Sequence, residues 1–397
     1  MNIKRLILKT IKWVRSIYDS TELEIIMSPD EVFTSHWEIK NETNEKMVSF
    51  CAPGICKEAI YGFIHSKQNI LEVPNCIVTP RSDIIQILGV NKVLWDKYYQ
   101  KNFSKVIPLD SNLCSFSYSY NRIKILKSHK VVHINGAVIS LLGVHAHIWA
   151  HFLVQFFPKI CYSKSAGLLD GNERVTVLVP DYRDTQVKQI VTDFLKPFSS
   201  VNIMIADAKT SYECDKLFYI PSSCYLSNHA NYLMACDCVI PKTVFSQLRD
   251  NLVVPSIDKI SKPCQKKKIY LVRRDTYRSL VNYKEVENFF VSQGFILIEP
   301  HLLSLYDKIS IFYSAEIIVG PYSSAWTNIM FCQKGTRGMI LSNLVRLEDL
   351  YLPTMADFFG VNIKLITGVS LNSDIHSDFF ISIADIKNQY QNLVYGE

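Results

Sequence analysis

The chain has no run of about 18 uncharged apolar residues, the length a membrane-spanning helix needs, so no such span is expected. It has no Cys-x-x-Cys pair and no repeated His/Cys spacing, so nothing in it suggests a zinc site. Gly-x-Gly-x-x-Gly is missing, which leaves dinucleotide binding and oxidoreduction poorly supported. The Gly-x-x-x-x-Gly-Lys-Ser/Thr loop of P-loop phosphotransferases is missing as well. No Asp-x-Asp stands at a strand end: Asp181, Asp184 and Asp215 lack that spacing, and Asp374 lies in a loop near the C-terminus. Neither repeats nor a low-complexity tract occur. Charge of one sign is not in great excess, since 43 basic and 37 acidic residues leave a net charge of +6. That is too mild for a dedicated nucleic-acid binder.

What the chain does have is a globular composition, 48% hydrophobic and 20% charged over 397 residues, enough for two domains. Aromatics are plentiful, with 21 Tyr and 21 Phe, and serve cores as well as the walls of sugar and base pockets. The eleven cysteines are scattered and read as buried free thiols of a reducing, cytosolic compartment. The first fifteen residues carry Lys4, Arg5, Lys9, Lys12 and Arg15 without an acid, among apolar residues at roughly helical spacing. They predict a basic amphipathic helix over 1–20. Such a helix suits an anionic membrane surface, and equally an ordinary first helix docked on the protein. A signal peptide fits less well, because charges interrupt the apolar stretch.

Three segments follow. Residues 1–20 are the helix, 21–260 an α/β domain on the acceptor side, and 261–397 a Rossmann-like domain. Within 20–125, short apolar runs mix with turn signals and read as an irregular β-containing segment. From residue 130, strands and helices alternate: Val131 to Leu142, an aromatic helix over 147–160, Val175 to Val179, a helix over 184–196, Val201 to Ile205 and Leu217 to Ile220. Pro241 suits the first position of a helix. Pro255, Pro263 and Lys266–Lys268 mark a linker. Beyond it the alternation is cleaner and predicts an open parallel sheet of about five strands, which binds ligands beyond the carboxyl ends of its strands.

Two strand ends in this last part carry chemistry. Val319–Asn328 reads as a strand passing through a Gly turn into a helix that starts with small hydroxylated residues. Its backbone N–H groups, with Ser323, Ser324 and Thr327, can receive a diphosphate. A simple capped turn is the other reading. Arg273, Arg274 and Arg278 follow the strand at Ile269 to Val272, and their guanidinium forks suit phosphate oxygens. A surface basic patch is the alternative. In the aromatic helix, His151 is either a hydrogen-bonded core residue or a group that contacts the acceptor or acts as base.

Taken in order, these elements resemble glycosyltransferase family 61, best over 267–367 and more weakly back to about residue 130. The family's aromatic–His–aromatic–Leu helix ending in Leu-Pro-Arg is matched by His151 to Lys159. Its strand-plus-arginine element with a following Asn is matched by Tyr270, Arg273, Arg278 and Asn282. An acidic strand end is matched by Glu299. The Gly-x-His-Gly-Ala-x-x-Thr-Asn turn is matched by Gly320, Tyr322, Ser323, Ser324, Thr327 and Asn328. Tyr322 stands where the family usually has His, Ser323 where it has Gly, and Gln155 where it has an acid. Tyr283 replaces a frequent Glu.

The resemblance implies an α/β, GT-B-like fold: two Rossmann-like domains facing across a cleft, here with an irregular N-terminal segment. It implies inverting, metal-independent transfer from a nucleotide-sugar donor, expected to be UDP-linked, with no resident cofactor. Arg273, Arg274, Arg278, Asn282, Glu299, Gly320, Tyr322, Ser323, Ser324, Thr327 and Asn328 are then the expected donor-binding residues. His151 is the expected base or acceptor contact, with Asp181 in reserve. The expected acceptor is a growing, lipid-linked bacterial glycan of capsule or lipopolysaccharide. The expected place is the cytoplasm, peripheral on the inner membrane face. A non-catalytic nucleotide- or carbohydrate-binding protein of the same fold is the alternative.

Overall fold

The structure, a computed structural model, describes residues 20–25, 34–39, 45–48, 60–63, 68–95, 114–119, 122–126, 130–181, 185–222, 224–226, 238–261, 265–274, 278–343, 351–373 and 377–395. The basic helix expected over 1–20 lies outside the described residues except for Ser20, which opens a strand. The chain divides into two compact units, residues 1–41 with 65–229 and residues 42–64 with 230–397.

The N-terminal region is rich in strands: β1 (Ser20–Ile25), β2 (Thr34–Ile39), β3 (Glu45–Val48), β4 (Ile60–Phe63), β5 (Gln68–Val78), β6 (Ile84–Ile87), β7 (Lys92–Trp95), β8 (Cys114–Ser119) and β9 (Arg122–Leu126). β3 and β4 pair as a hairpin in the second unit. In the first unit, β10 (Val131–Ser140) leads to a long helix, α1 (149–165). Then come β11 (Val175–Pro180), α2 (Thr185–Leu195), β12 (Val201–Ala206) and β13 (Ser211–Tyr219).

One sheet joins them in the order β12-β11-β10-β13-β5-β6-β7-β1-β9-β8, with β2 added on β5. Strands β12, β11, β10 and β13 run parallel, whereas β5 is antiparallel to β13. This corrects the expectation of an irregular leading segment. Its described strands extend the sheet of the α/β part, because Leu71, Val73, Cys76 and Val78 share a buried cluster with Val138, Leu178 and Leu217. Cys76 and Cys214 face each other across β5 and β13 as buried free thiols. The Cys214 thiol raises the proton affinity of Cys76, and burial adds to it.

In the second unit, α3 (242–257) begins after Pro241, which is its N-cap rather than its first helical residue. Phe245 of α3 lies 5.6 Å from Phe358, centroid to centroid, so this helix packs with the later part of the chain. The division at 229–230 therefore precedes the Pro- and Lys-rich linker. Two short strands, β14 (Tyr225–Leu226) and β15 (Cys238–Val239), flank it. The core of the unit alternates strands and helices. It runs β16 (Lys267–Leu271), α4 (Tyr283–Ser292), β17 (Phe295–Ile298), α5 (Leu305–Tyr313), β18 (Ala315–Pro321), a 3-10 helix (Ser324–Phe331), β19 (Arg337–Ser342), α6 (Tyr351–Phe359) and β20 (Asn362–Thr367). A hairpin of β21 (Val369–Ser370) and β22 (Phe379–Phe380) precedes α7 (Ile383–Tyr395).

The five strands β16 to β20 are all parallel and lie in the order β17-β16-β18-β19-β20. Local signals explain the ends. Gly294 takes φ +81 after α4, and the Ser304 side chain accepts the Asp307 N–H to cap α5. One face packs Tyr270, Ile317, Val319 and Met339 on Val286 and Phe290 of α4 and on Ile386, Tyr390 and Leu393 of α7. Among the described residues no helix is long and apolar enough to cross a membrane.

Tyr270 is fully buried in this face, and among the described residues its hydroxyl has no hydrogen-bond partner. Burial pushes its phenol well above the usual tyrosine range. Tyr270→Phe is expected to raise unfolding free energy by about 1 kcal/mol, since an unpaired buried hydroxyl is removed. Urea denaturation checks this, and a fall in stability would show that the hydroxyl is satisfied.

Candidate functional site

In the second sheet the chain runs from β16 outward to β17, then back past β16 to β18 and onward through β19 to β20. Connections therefore leave β16 and β18 in opposite directions. A crevice forms outside the carboxyl ends of two such strands, and ligands of open α/β sheets bind there. Two segments singled out in the sequence stand at this point: Arg273 two residues beyond β16, and Tyr322 to Ser324 directly beyond β18.

The structure brings them together. The Arg273 guanidinium donates to the Tyr322 carbonyl, which ties one strand end to the other. The Tyr322 N–H donates to Leu341 O at 2.8 Å, anchoring the turn to β19. Ser323 then takes an extended conformation as N-cap of the 3-10 helix, and its carbonyl accepts the Trp326 N–H at 3.1 Å. Among the described residues no backbone carbonyl accepts the N–H groups of Ser323, Ser324 or Ala325. Ser324 is exposed, and Tyr322, Ser323 and Ala325 are half-buried. An accessible set of donors beside a guanidinium is the arrangement an anion requires.

Gly320 plays a different part from the expected turn. It lies inside β18, where an added Cβ would stand 2.6 Å from Leu271 O. The glycine thus lets β16 and β18 approach closely enough for Arg273 to reach Tyr322. Thr327 and Asn328 are fully buried, so they support the turn from beneath. The Asn328 amide donates to Ala325 O at 2.8 Å.

Other expected donor residues are placed elsewhere. Both ends of the Arg274 guanidinium are held by Glu287, at 2.6 and 2.8 Å, and the group stacks 4.6 Å over the Tyr283 ring. Asn282 donates to Ile381 O at 2.9 Å, which fastens α4 to the C-terminal segment. Arg278 has a left-handed backbone, φ +55, just before a segment that bonds to Asp378 and Phe379. Glu299 follows β17 at the same carboxyl edge, partly exposed, with His301 Nε2 at 3.8 Å.

His151 belongs to the first unit. After β10 the chain forms a loop and enters α1, whose middle, Phe152–Phe156, is π-helical: the Phe157 N–H reaches back to Phe152 O. Such widened turns recur at functional sites. His151 Nδ1 lies 2.7 Å from Gln155 Oε1, and its ring centroid is 5.0 Å from that of His145. His145 holds φ +67, a strained backbone for a non-glycine residue, and its ring lies 6.3 Å from that of His147. Partial desolvation and the nearby Arg81 charge lower the His147 proton affinity, although its side chain reaches solvent. Asp181, exposed just after β11, stands at the same carboxyl edge of the parallel strands. Among the described residues no group of three His, Cys, Asp or Glu side chains could hold a metal ion.

His145 and His147 were not singled out from the sequence. The signal was present, since three of the ten histidines fall between residues 145 and 151. Lys159, matched to the family's arginine, is buried beside Phe156, 5.8 Å from its ring. The family model described as glycosyltransferase 61 matches residues 149–339, a span that starts at α1 and ends in β19. No curated protein matches the chain.

Proposed function

We propose, from the premise that this chain belongs to glycosyltransferase family 61 through residues 149–339 and is a sugar-transferring enzyme, that the β16–β18 crevice holds the diphosphate of a nucleotide-sugar donor and that His151 is the proton acceptor. The observation that carries the donor reading is the Arg273–Tyr322 tie beside the N–H groups of Ser323, Ser324 and Ala325. Arg278, in the segment between β16 and α4, and Glu299, just beyond β17, are assigned to the diphosphate and the ribose hydroxyls, as an acid at a strand end suits a ribose. Arg274, Asn282, Gly320, Thr327 and Asn328 act through the shape of the crevice, because their polar groups are engaged or buried.

The transfer is read as inverting. The acceptor hydroxyl loses its proton to His151 as its oxygen bonds to the anomeric carbon, and the bond from that carbon to the diphosphate breaks on the opposite side. The electron pair leaves with the nucleoside diphosphate. Guanidinium and backbone N–H groups stabilise the charge that develops there, so a metal is unneeded in this reading. The reading extends to a UDP-linked donor and a lipid-linked bacterial surface glycan as acceptor, made at the inner face of the membrane. The basic N-terminal sequence and the thiol-rich composition support that setting. Two departures from the family pattern, Tyr322 and Gln155, favour one alternative, a binding protein of the same fold that hydrolyses no donor.

A thermal-shift series tests the donor reading. UDP and UDP-sugars are expected to stabilise the protein, by about 2.7 kcal/mol at a hundredfold excess over the dissociation constant. EDTA should leave the shift in place. A shift abolished by EDTA and restored by Mn²⁺ contradicts metal independence. Release of UDP from a UDP-sugar by the purified protein separates an enzyme from a binder.

A further inference from the structure

We infer that Gln155 is a positioning residue that sets the tautomer and orientation of His151; the inference rests on the reading of His151 as proton acceptor. Gln155 lies four residues after His151 on the π-helical stretch of α1 and is 2% exposed. Its amide oxygen stands 2.7 Å from His151 Nδ1. An amide oxygen only accepts, so the contact is a hydrogen bond when Nδ1 carries the proton. The neutral ring then keeps its lone pair on Nε2, the nitrogen that must take the acceptor's proton.

The same residue limits the strength of this base. A carboxylate on Nδ1 would stabilise the imidazolium, whereas an amide does so weakly. Other titratable groups stand around this turn. His145 and His147 precede it, desolvation and then Arg81 lower the proton affinity of His147, and Lys159 follows two turns later. Asp83 accepts the Val144 N–H at 3.0 Å, and the Cys224 thiol donates to Val154 O. Gln155 thus orients His151 without placing a carboxylate on its Nδ1.

The test uses the full chain with ¹⁵N-labelled histidine, compared with His151→Ala to assign the His151 ring. Ring nitrogen shifts are expected to show the Nδ1–H tautomer in the parent protein and a mixture in Gln155→Met. Gln155→Glu should keep the Nδ1–H tautomer and raise the pH at which His151 titrates. With UDP-glucose, UDP-N-acetylglucosamine and UDP-xylose as donors and water as acceptor, Gln155→Met should cost roughly tenfold in kcat, the worth of one hydrogen bond, with KM unchanged. Gln155→Glu should move the acid limb of the pH profile upward.

A parent ring protonated on Nε2, or a titration that Gln155→Glu leaves unmoved, overturns the inference. If His151→Ala retains full turnover, the proton-acceptor reading fails instead, and the tautomer data still decide the role of Gln155. Should Gln155→Met fail to fold, the near-isosteric Gln155→Glu carries the test.

Discussion

Replacing Arg273 by Ala is expected to weaken UDP binding by about 1.5–3 kcal/mol, roughly 10- to 100-fold in dissociation constant, the usual worth of hydrogen bonds to a charged group. Two losses combine. The diphosphate loses a guanidinium, and the Tyr322 carbonyl loses the donor that ties the β18 turn to the β16 end. Arg273→Lys separates them, because an ammonium keeps the charge but cannot bridge carbonyl and phosphate with a planar fork. Calorimetry with UDP is expected to rank the parent above Lys and Lys above Ala. Unchanged affinity in the Ala variant would remove the crevice from the donor site. Arg274→Ala is the contrasting control. It should lower stability through the loss of the Glu287 pair and leave UDP affinity nearly intact.

Replacing His151 by Ala is expected to reduce kcat on the order of 10²–10⁴-fold while sparing UDP affinity. The separation is physical: His151 sits in the first unit, on α1, and the proposed diphosphate contacts come from the second. Single-turnover kinetics on a UDP-sugar would read the chemical step directly. An unfolded variant would mark His151 as a structural residue of α1, since its Nδ1 bond to Gln155 is partly buried. An active variant would pass the role to Asp181.

The second unit was the more legible in the sequence, for physical reasons. Two of its central parallel strands, β18 and β19, are buried on both faces and read as short apolar runs, as in Ile317 to Val319. Gly294 and Ser304 carry their own stop and start signals. The first unit was less so. β5 pairs with β13 across more than a hundred residues, and nothing local to either strand announces that partnership. The site divides similarly. Arg273 and Ser323 could be located because each follows a strand. Which of Arg273 and Arg274 faces the turn could not, since successive residues of an extended chain point to opposite sides. Gly320 looked like a turn glycine, and only the register with Leu271 shows that it admits a neighbouring strand.

The widened turn at Phe152–Phe156 has a consequence for how this region varies among related chains. A π turn holds one residue more than the α turn it replaces. Removing a single residue there would restore the regular helix. It would leave His151 on nearly the same side relative to Pro158 and Lys159, because the i to i+5 bond of the widened turn stacks residues five apart much as the i to i+4 bond of an α-helix stacks residues four apart. A relative with an all-α helix and one residue fewer here therefore keeps its histidine on the same side of the helix. A one-residue gap between positions 151 and 158 then marks the widened turn itself, and comparisons that force these positions into ungapped correspondence would pair residues that do not share a role.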